Sequence, residues 1–431
     1  MKEGEYVIIK TKEGEKQGLI VPSVDLSLVT LKLDSGYNIL INKKDIISSK
    51  IINQSEKKKE AKIEIKNRPD LKNITILHTG GTIASRVDYK IGGVSTSFTP
   101  ENIISMFPEL KDIANIKTRL IRNMWSQDMR FSHYNLIAKE IEKEIKNNID
   151  GIIISQGTDT IHYTSAALSF ILENLPVPVL IVGAQRSSDR GSSDAYLNLI
   201  NAVYFISNTN FAEVGICMHE SADDENCLIL PGTKSRKMHT SRRDAFKPIN
   251  TTAIANVNYK IGKIEYITKN YNKISQTKLK LKLIKENIKV AIIKQHVNMY
   301  AEQFKAYENY DGLVIEATGL GCLPISETDD LTKESGKIFK VLKDMIKRGI
   351  IIVESPQTIF GRINLNVYED QRNAQEVGIL GHLNDMTTET TFIKLAWLLS
   401  NYKKEEVKNL IMKDLRKELS NRTEFEKYFL K

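Results

Sequence analysis

Two glycine–threonine segments carry the residue types from which hydrolytic chemistry is built. The first, Thr79-Gly80-Gly81-Thr82-Ile83-Ala84, follows directly on the apolar run Ile74 to Leu77. Paired glycines let a backbone turn sharply and aim its N–H groups at one point, a cradle for an oxyanion or carboxylate. The hydroxyls on either side are candidate nucleophiles. The second, Ser155-Gln156-Gly157-Thr158-Asp159-Thr160, follows Gly151 to Ile154 in the same way. Each alone has an ordinary structural account: a Gly-Gly turn between threonines, and a helix N-cap at Thr160 or Asp159. Together, two strand exits bearing Gly-Thr would bring two hydroxyls and a carboxylate to one rim.

Two further segments could complete such a rim. Trp125-Ser126-Gln127-Asp128-Met129 is a polar cluster before a helix, in which Ser126, Asp128 and Ser132 equally suit a helix start. Gly232 to Phe246 is rich in hydroxyls and cations, most of them expected at the surface. A lysine in it, desolvated beside Thr158 and Asp159, would have a lowered pKa and could serve as general base.

The elements around these loops follow from the apolar pattern. Ile74 to Leu77, Gly151 to Ile154, Val179 to Val182 and Val214 to Cys217 are nearly continuous apolar runs, as strands buried on both faces should be. Between them, Phe131 to Lys146 and Ile161 to Leu175 place apolar residues at three- and four-residue spacing. Strand, helix, strand in alternation predicts a mostly parallel sheet with helices on both faces, whose ligands bind at the carboxyl ends of the strands. A second such block begins near Val290. It has strands at Val290 to Ile293, Gly312 to Ile315 and Gly349 to Val353, and helices at Lys333 to Arg348, Thr387 to Leu399 and, strongly charged, Lys404 to Leu419.

The front of the chain reads differently. Tyr6 to Lys10, Gly18 to Val21, Leu28 to Leu33 and Tyr37 to Ile41 are short strand-like runs closed by Gly-containing turns. They predict a small antiparallel barrel or sandwich without histidine or cysteine. A charged stretch with Lys57-Lys58-Lys59 and Arg68-Pro69-Asp70 follows, read as a linker with one stray strand at Ala61 to Ile65. The expected division is thus a β-barrel-like domain over 1–50, a linker over 51–72, a catalytic domain over 73–285 and a C-terminal domain over 286–431. At 431 residues, more than one core is expected.

Bulk properties exclude several function classes. The chain is 41% hydrophobic and 27% charged, which gives no case for wholesale disorder. Its start lacks an apolar h-region and its apolar runs are too short to span a bilayer, so a cytoplasmic protein is expected. Three widely spaced cysteines form no CxxC pair, and the seven histidines have no metal-ligand spacing, so no metal site is expected. A net charge of +9 fits a solvated basic face better than a dedicated nucleic-acid surface, because aromatic clusters of the RNA-binding kind are missing.

The four loops, in this order, resemble the L-asparaginase/glutaminase family. Thr79 to Ala84 is similar to the family's TGGTIA motif, which implies that Thr82 is the acylated nucleophile. Gln156 to Thr160 resembles its HGTDT motif, which implies Thr158 and Asp159 as a second catalytic threonine and an aspartate. Lys237, nine residues before Phe246, has the spacing of the family's catalytic lysine. Ser126 and Gln127 match its substrate-binding Ser-Gln. Tyr89 lies in a segment resembling the mobile active-site loop, with Gly92 and Gly93 as hinges. Gly80, Gly81 and Gly157 are expected to form the backbone cradle. The resemblance runs over roughly residues 73 to 410, including Asp385 to Thr390 and the helix after it, and implies the two-domain, doubly wound asparaginase-like α/β fold. Two positions depart from the pattern: Gln156 replaces a common histidine, and Cys322 a common asparagine.

Ordinary asparaginases lack the front 70 residues. Glu5-Tyr6-Val7, Gly18-Leu19-Ile20 and Leu31 to Asn38 resemble the small β domain of the family's tRNA-dependent amidotransferase members. That resemblance implies glutamine as substrate and ammonia handed to a tRNA-binding partner subunit of kinase/transamidase type. It also implies a homodimer within a heterotetramer, and tRNA contacts made mostly by the partner. The chain has no Walker motif, so ATP and Mg²⁺ are expected at the partner and no cofactor here. The alternatives are a free cytosolic L-asparaginase with an incidental extension, and a non-catalytic RNA-binding or scaffold protein on the same fold. The second is disfavoured by the presence of Thr82, Thr158, Asp159 and Lys237 together.

Overall fold

A computed structural model describes residues 2–23, 25, 27–33, 38–52, 67–81, 85–88, 93–96, 108–186 and 192–423. The expected stray strand at 61–65 lies outside them. The front of the chain forms a five-stranded antiparallel sheet from β1 (Tyr6–Thr11), β2 (Gly14–Val21), β3 (Leu28–Leu33), β4 (Asn38–Asn42) and β5 (Ile46–Ile51). The strand order is β4-β3-β2-β1-β5, so β4 and β5 are its two edges and do not pair with one another. It is the small antiparallel β domain expected at the front of the chain. Val7, Ile9, Ile20, Val29, Leu31 and Ile41 form its core.

The central sheet contains β6 (Asn73–His78), β9 (Asn115–Leu120), β10 (Gly151–Ser155), β12 (Val179–Val182), β13 (Val214–His219), β14 (Cys227–Pro231), β17 (Ala255–Asn258) and β18 (Lys263–Tyr266). Its order is β18-β17-β14-β13-β12-β10-β6-β9, with β9, β6, β10, β12 and β13 parallel and the remaining edge antiparallel. Helices α1 (Phe131–Lys146) and α2 (Ile161–Ile171) cover one face and α3 (Ala195–Asn208) the other. Small two-stranded ribbons complete this part: β7 (Ser85–Asp88) with β8 (Gly93–Thr96), β11 (Leu172–Glu173) with β19 (Lys280–Leu281), and β15 (Ser235–Lys237) with β16 (Phe246–Pro248).

The second sheet, β20 (Val290–Lys294), β21 (Gly312–Ala317) and β22 (Ile351–Pro356), is wholly parallel. Around it lie α4 (Ala301–Lys305), α5 (Lys333–Lys347), α6 (Glu369–Glu376), α7 (Thr388–Asn401) and α8 (Lys404–Leu410). Helix α7 is buried on most sides because it is wedged between α2 and the second sheet. Trp397 and Leu395 belong to the same buried cluster as Phe170 of α2 and Val314 of β21. The Phe170 and Trp397 rings lie 5.4 Å apart.

Two sequence-based expectations need correction. The run beginning at Gly349 is not strand throughout. Gly349 has φ +86°, and Ile350 N–H reaches the Met345 carbonyl at 3.1 Å, a glycine-terminated end to α5 that delays β22 until Ile351. The charged segment Lys404 to Leu419 is helical only to Leu410. Beyond it the chain turns inward, with Lys417 at φ +60°, and Glu418 is fully buried against Lys394 at 2.6 Å. The same carboxylate accepts the Leu415 N–H at 3.0 Å, so its local bonds compete with helix continuation.

That pair is enclosed on both sides, and removing one partner strands a charge. Lys394→Met should lower stability by about 3–5 kcal/mol, and Lys394→Met with Glu418→Leu by clearly less, because the double change leaves no uncompensated charge. Guanidinium unfolding of the two variants checks this; equal losses would mean packing dominates.

Candidate active site

The loops at the carboxyl ends of β6, β10 and β12 converge at one rim. After β6, Thr79 N–H and Oγ1 both donate to the Ser155 carbonyl, at 3.0 and 3.1 Å, locking this exit to that of β10. Gly80 and Gly81 then adopt φ +104° and +92°. A Cβ on Gly80 would collide with the Met124 carbonyl, and one on Gly81 with the Gly157 amide. Only glycine lets these backbones approach, and side-chain-free N–H groups are what an oxyanion cradle needs. Thr82 and Tyr89 lie outside the described residues, as does Gly92.

The second loop makes a 3₁₀ turn, Thr158–Thr160, that runs into α2. Neither Asp159 nor Thr160 spends its side chain as a cap. Thr160 Oγ1 donates instead to the Ser126 carbonyl at 2.7 Å, tying this turn to the Ser126–Asp128 turn. Ser126 is buried and its Oγ lies 3.4 Å from Asp159 Oδ2, while Gln127 is exposed on the same turn. Gln156, the residue standing for a histidine, is buried and donates to Thr160 Oγ1 at 3.2 Å. A Cβ on Gly157 would meet the Ser126 side chain, so that glycine sets the spacing between the turns.

Lys237 enters from β15. Its Nζ donates to Thr158 Oγ1 and to Asp159 Oδ1, each at 2.8 Å. The lysine side chain is 11% exposed and the Asp159 carboxylate 64%, so the pair opens to solvent on the acid's side. Thr158 and Asp159, more than seventy residues from Lys237 in sequence, thus form one hydrogen-bonded unit with it. A deprotonated Lys237 could take the proton of the Thr158 hydroxyl, or of a water held by it, while Asp159 offers its exposed carboxylate edge to a cationic group.

The sequence reading missed Gln185. It lies in the loop after β12, beyond Gly183 and Ala184, and its Oε1 lies 3.4 Å from Thr158 Oγ1, a distant acceptor for the hydroxyl that receives the Lys237 bond. Its backbone N–H is pinned by Asp194 Oδ2 at 3.0 Å. The strand-exit rule that found the other loops would have found this one. Among the described residues no group of three or more His, Cys, Asp or Glu could hold a metal ion. All three cysteines are free. Cys322 is half-buried in the loop after β21, and burial pushes its thiol up.

Residues 73–272 match the asparaginase N-terminal family and residues 289–412 the glutaminase/asparaginase C-terminal domain. The D-type subunit of glutamyl-tRNA(Gln) amidotransferase from Methanococcus maripaludis C7 is 40% identical over 425 residues, covering 97% of this chain and 98% of that one. Its counterpart from Pyrococcus furiosus is 42% identical over 409 residues, covering 92% and 90%. The chain belongs to the asparaginase family, in its amidotransferase branch. Among solved structures, the thermostable L-asparaginase from Thermococcus kodakarensis superposes with a TM-score of 0.69 at 27% identity, covering 81% of this chain and 99% of that one. L-asparaginase I from Vibrio cholerae gives 0.68 at 26% over the same shares.

One buried base sits directly behind this family's first motif. His78, the last residue of β6, has its Nδ1 2.7 Å from Ser155 Oγ, and burial pushes its pKa down to about 4. The folded state therefore resists protonation that the unfolded chain accepts near pH 6.5. Stability should be complete above that pH, decline by about 3 kcal/mol as pH falls from 6.5 to about 4, and lose nothing further from this group below that. His78→Asn should flatten this part of the pH dependence of the melting temperature; an unchanged acid slope would exclude His78 as its source.

Proposed function

We propose that this chain is the glutaminase of a tRNA-dependent amidotransferase, hydrolysing glutamine through a threonyl ester to release ammonia. The observation that carries the chemistry is Lys237 Nζ at 2.8 Å from both Thr158 Oγ1 and Asp159 Oδ1, at the rim where Gly80 and Gly81 turn their backbone inward. Thr82, next in the chain after that cradle, attacks the side-chain carbonyl of glutamine. Glycine-loop N–H groups receive the oxyanion, each worth about 3 kcal/mol of barrier. Ammonia leaves, and water activated by Thr158 with Lys237 resolves the glutamyl ester. Asp159 and Gln127 hold the substrate's α-ammonium, Ser126 lies near its α-carboxylate, and a loop bearing Tyr89 closes over the site.

The amidotransferase assignment rests on the extent of the likeness. The M. maripaludis relative is matched over 97% of this chain, whereas the T. kodakarensis asparaginase covers 81%. The five-stranded sheet at the front lies before residue 73, where the asparaginase family match begins. On this reading ammonia passes to a partner subunit that holds ATP and Mg²⁺ and binds most of the tRNA, and two copies of this chain form the centre of a heterotetramer. No helix of the described residues is long and apolar enough to cross a membrane. On this reading the complex works in the cytoplasm.

The test is ammonia release from glutamine and asparagine, by the chain alone and with the partner subunit, ATP and Glu-tRNA(Gln). Glutamine hydrolysis should be strongly stimulated by the full mixture. Thr82→Ala, Thr158→Ala and Lys237→Ala should each lower kcat about a thousandfold or more. Fast asparagine hydrolysis by the lone chain, indifferent to partner and tRNA, would favour a free asparaginase instead.

A further inference from the structure

The ribbon that presents Lys237 is too slight to hold itself. Ser235, Arg236 and Lys237 pair with Pro248, Lys247 and Phe246, and this ribbon joins neither large sheet. Two strands of three residues are marginal alone. A displacement of about 1 Å at a reacting group costs on the order of a hundredfold in rate, so something must fix the ribbon.

Its anchors come from the first turn of α7 and the segment leading into it, in the other half of the molecule. Lys234 Nζ meets Asp385 Oδ2 at 2.8 Å, and Thr390 Oγ1 donates to the Thr233 carbonyl at 2.7 Å. Between these, Arg236 Nε lies 3.2 Å from Glu389 Oε1. The same carboxylate oxygen is 3.7 Å from Nε2 of His162, in the first turn of α2. Helix α2 is entered directly from the turn bearing Thr158 and Asp159. One buried carboxylate therefore touches the neighbour of Lys237 on one side and, on the other, the helix that fixes Lys237's two partners.

We infer that Glu389 is a positioning residue for catalysis, setting the Lys237 ribbon against the Thr158–Asp159 turn through Arg236 and His162; this rests on the glutaminase reading above. The carboxylate is suited to the task. Burial alone would raise its pKa, but His162 and the Arg236 charge outweigh that and hold it down at about 2. It also sits in the first turn of α7, where the helix dipole favours an anion. Glu389 stays ionised wherever the enzyme works, so the clamp is constant. It touches no group that reacts, and its effect falls on kcat rather than on substrate affinity.

The experiment compares Glu389→Gln, Arg236→Met and the double variant in the complete chain with partner, ATP and Glu-tRNA(Gln), recording kcat, KM for glutamine and melting temperature. Glu389→Gln should lower kcat about ten- to a hundredfold with KM within about threefold of the parent. Arg236→Met reads the same contact from its half-exposed side, should a Glu389 variant not fold, and should give the same split. The double variant should be no slower than the slower single, because both break one device. A kcat within about twofold of the parent in both single variants, or losses that multiply in the double, overturns the inference. Should the parent itself release no ammonia, the glutaminase reading fails separately. The clamp is then read from the pH dependence of reductive methylation at Lys237, which must shift in both single variants to sustain it and stay unchanged to sink it.

Discussion

A lysine almost withdrawn from water needs oxygen partners, and the site is organised around giving Lys237 two of them. Thr158 Oγ1 and Asp159 Oδ1 are adjacent in sequence, so a single turn suffices to present both. That turn must then stand at a fixed height above β10 and at a fixed distance from a ribbon contributed by a remote stretch of chain. The parallel order β6-β10-β12 supplies the height, since their carboxyl ends form one rim. The distance is set by polar contacts into a buried junction, where the low dielectric strengthens each bond and makes each unpaired group costly.

The glycines are the second constraint, and they act through exclusion. Gly81 sits where any side chain would strike the Gly157 amide, and Gly157 where one would strike Ser126. With Gly80 set against the Met124 backbone, the three loops pack at distances that any side chain would prevent. Thr79 reinforces this by spending both its amide and its hydroxyl on the Ser155 carbonyl. The residue just before the glycines is thereby held by two hydrogen bonds to one carbonyl, and the Gly-Gly turn starts from a fixed point.

Most of this was legible in sequence because two kinds of signal coincided. Runs such as Gly151 to Ile154 are apolar enough to specify buried strands, and each ends at a loop whose Gly and hydroxyl residues invite chemistry. Three- and four-residue periodicity located α1 at Phe131–Lys146, where Ile137, Ile141 and Tyr134 fall on one buried face. Legibility failed where long-range contacts decide. Nothing local to Lys404–Leu419 says that Glu418 will be drawn into the core by Lys394, and a charged run reads as a solvated helix. Gln185 carries no unusual composition; only the position of β12 beside β10 brings it to Thr158. At the front, the alternation showed strands but could not say whether the two edges meet, since closure depends on twist and shear summed over all strands.

The junction between the two halves bears on why buried charge is kept at all. Lys234–Asp385, Arg236–Glu389 and Lys394–Glu418 are ion pairs with at least one partner buried, and well-packed apolar side chains in such places are often as stable or more so. Stability alone therefore does not explain them. What an apolar contact lacks is direction: it tolerates sliding, whereas a carboxylate bonded to an arginine fixes both distance and angle. Two of these pairs flank the Lys237 ribbon on its C-terminal-domain side, and the third draws the chain end against α7, the helix that carries Glu389. The second domain supplies, among the described residues, no group of the Thr158–Asp159–Lys237 unit. Its polar face nonetheless gives the lysine a defined place to stand, which a hydrophobic seam of equal area would not.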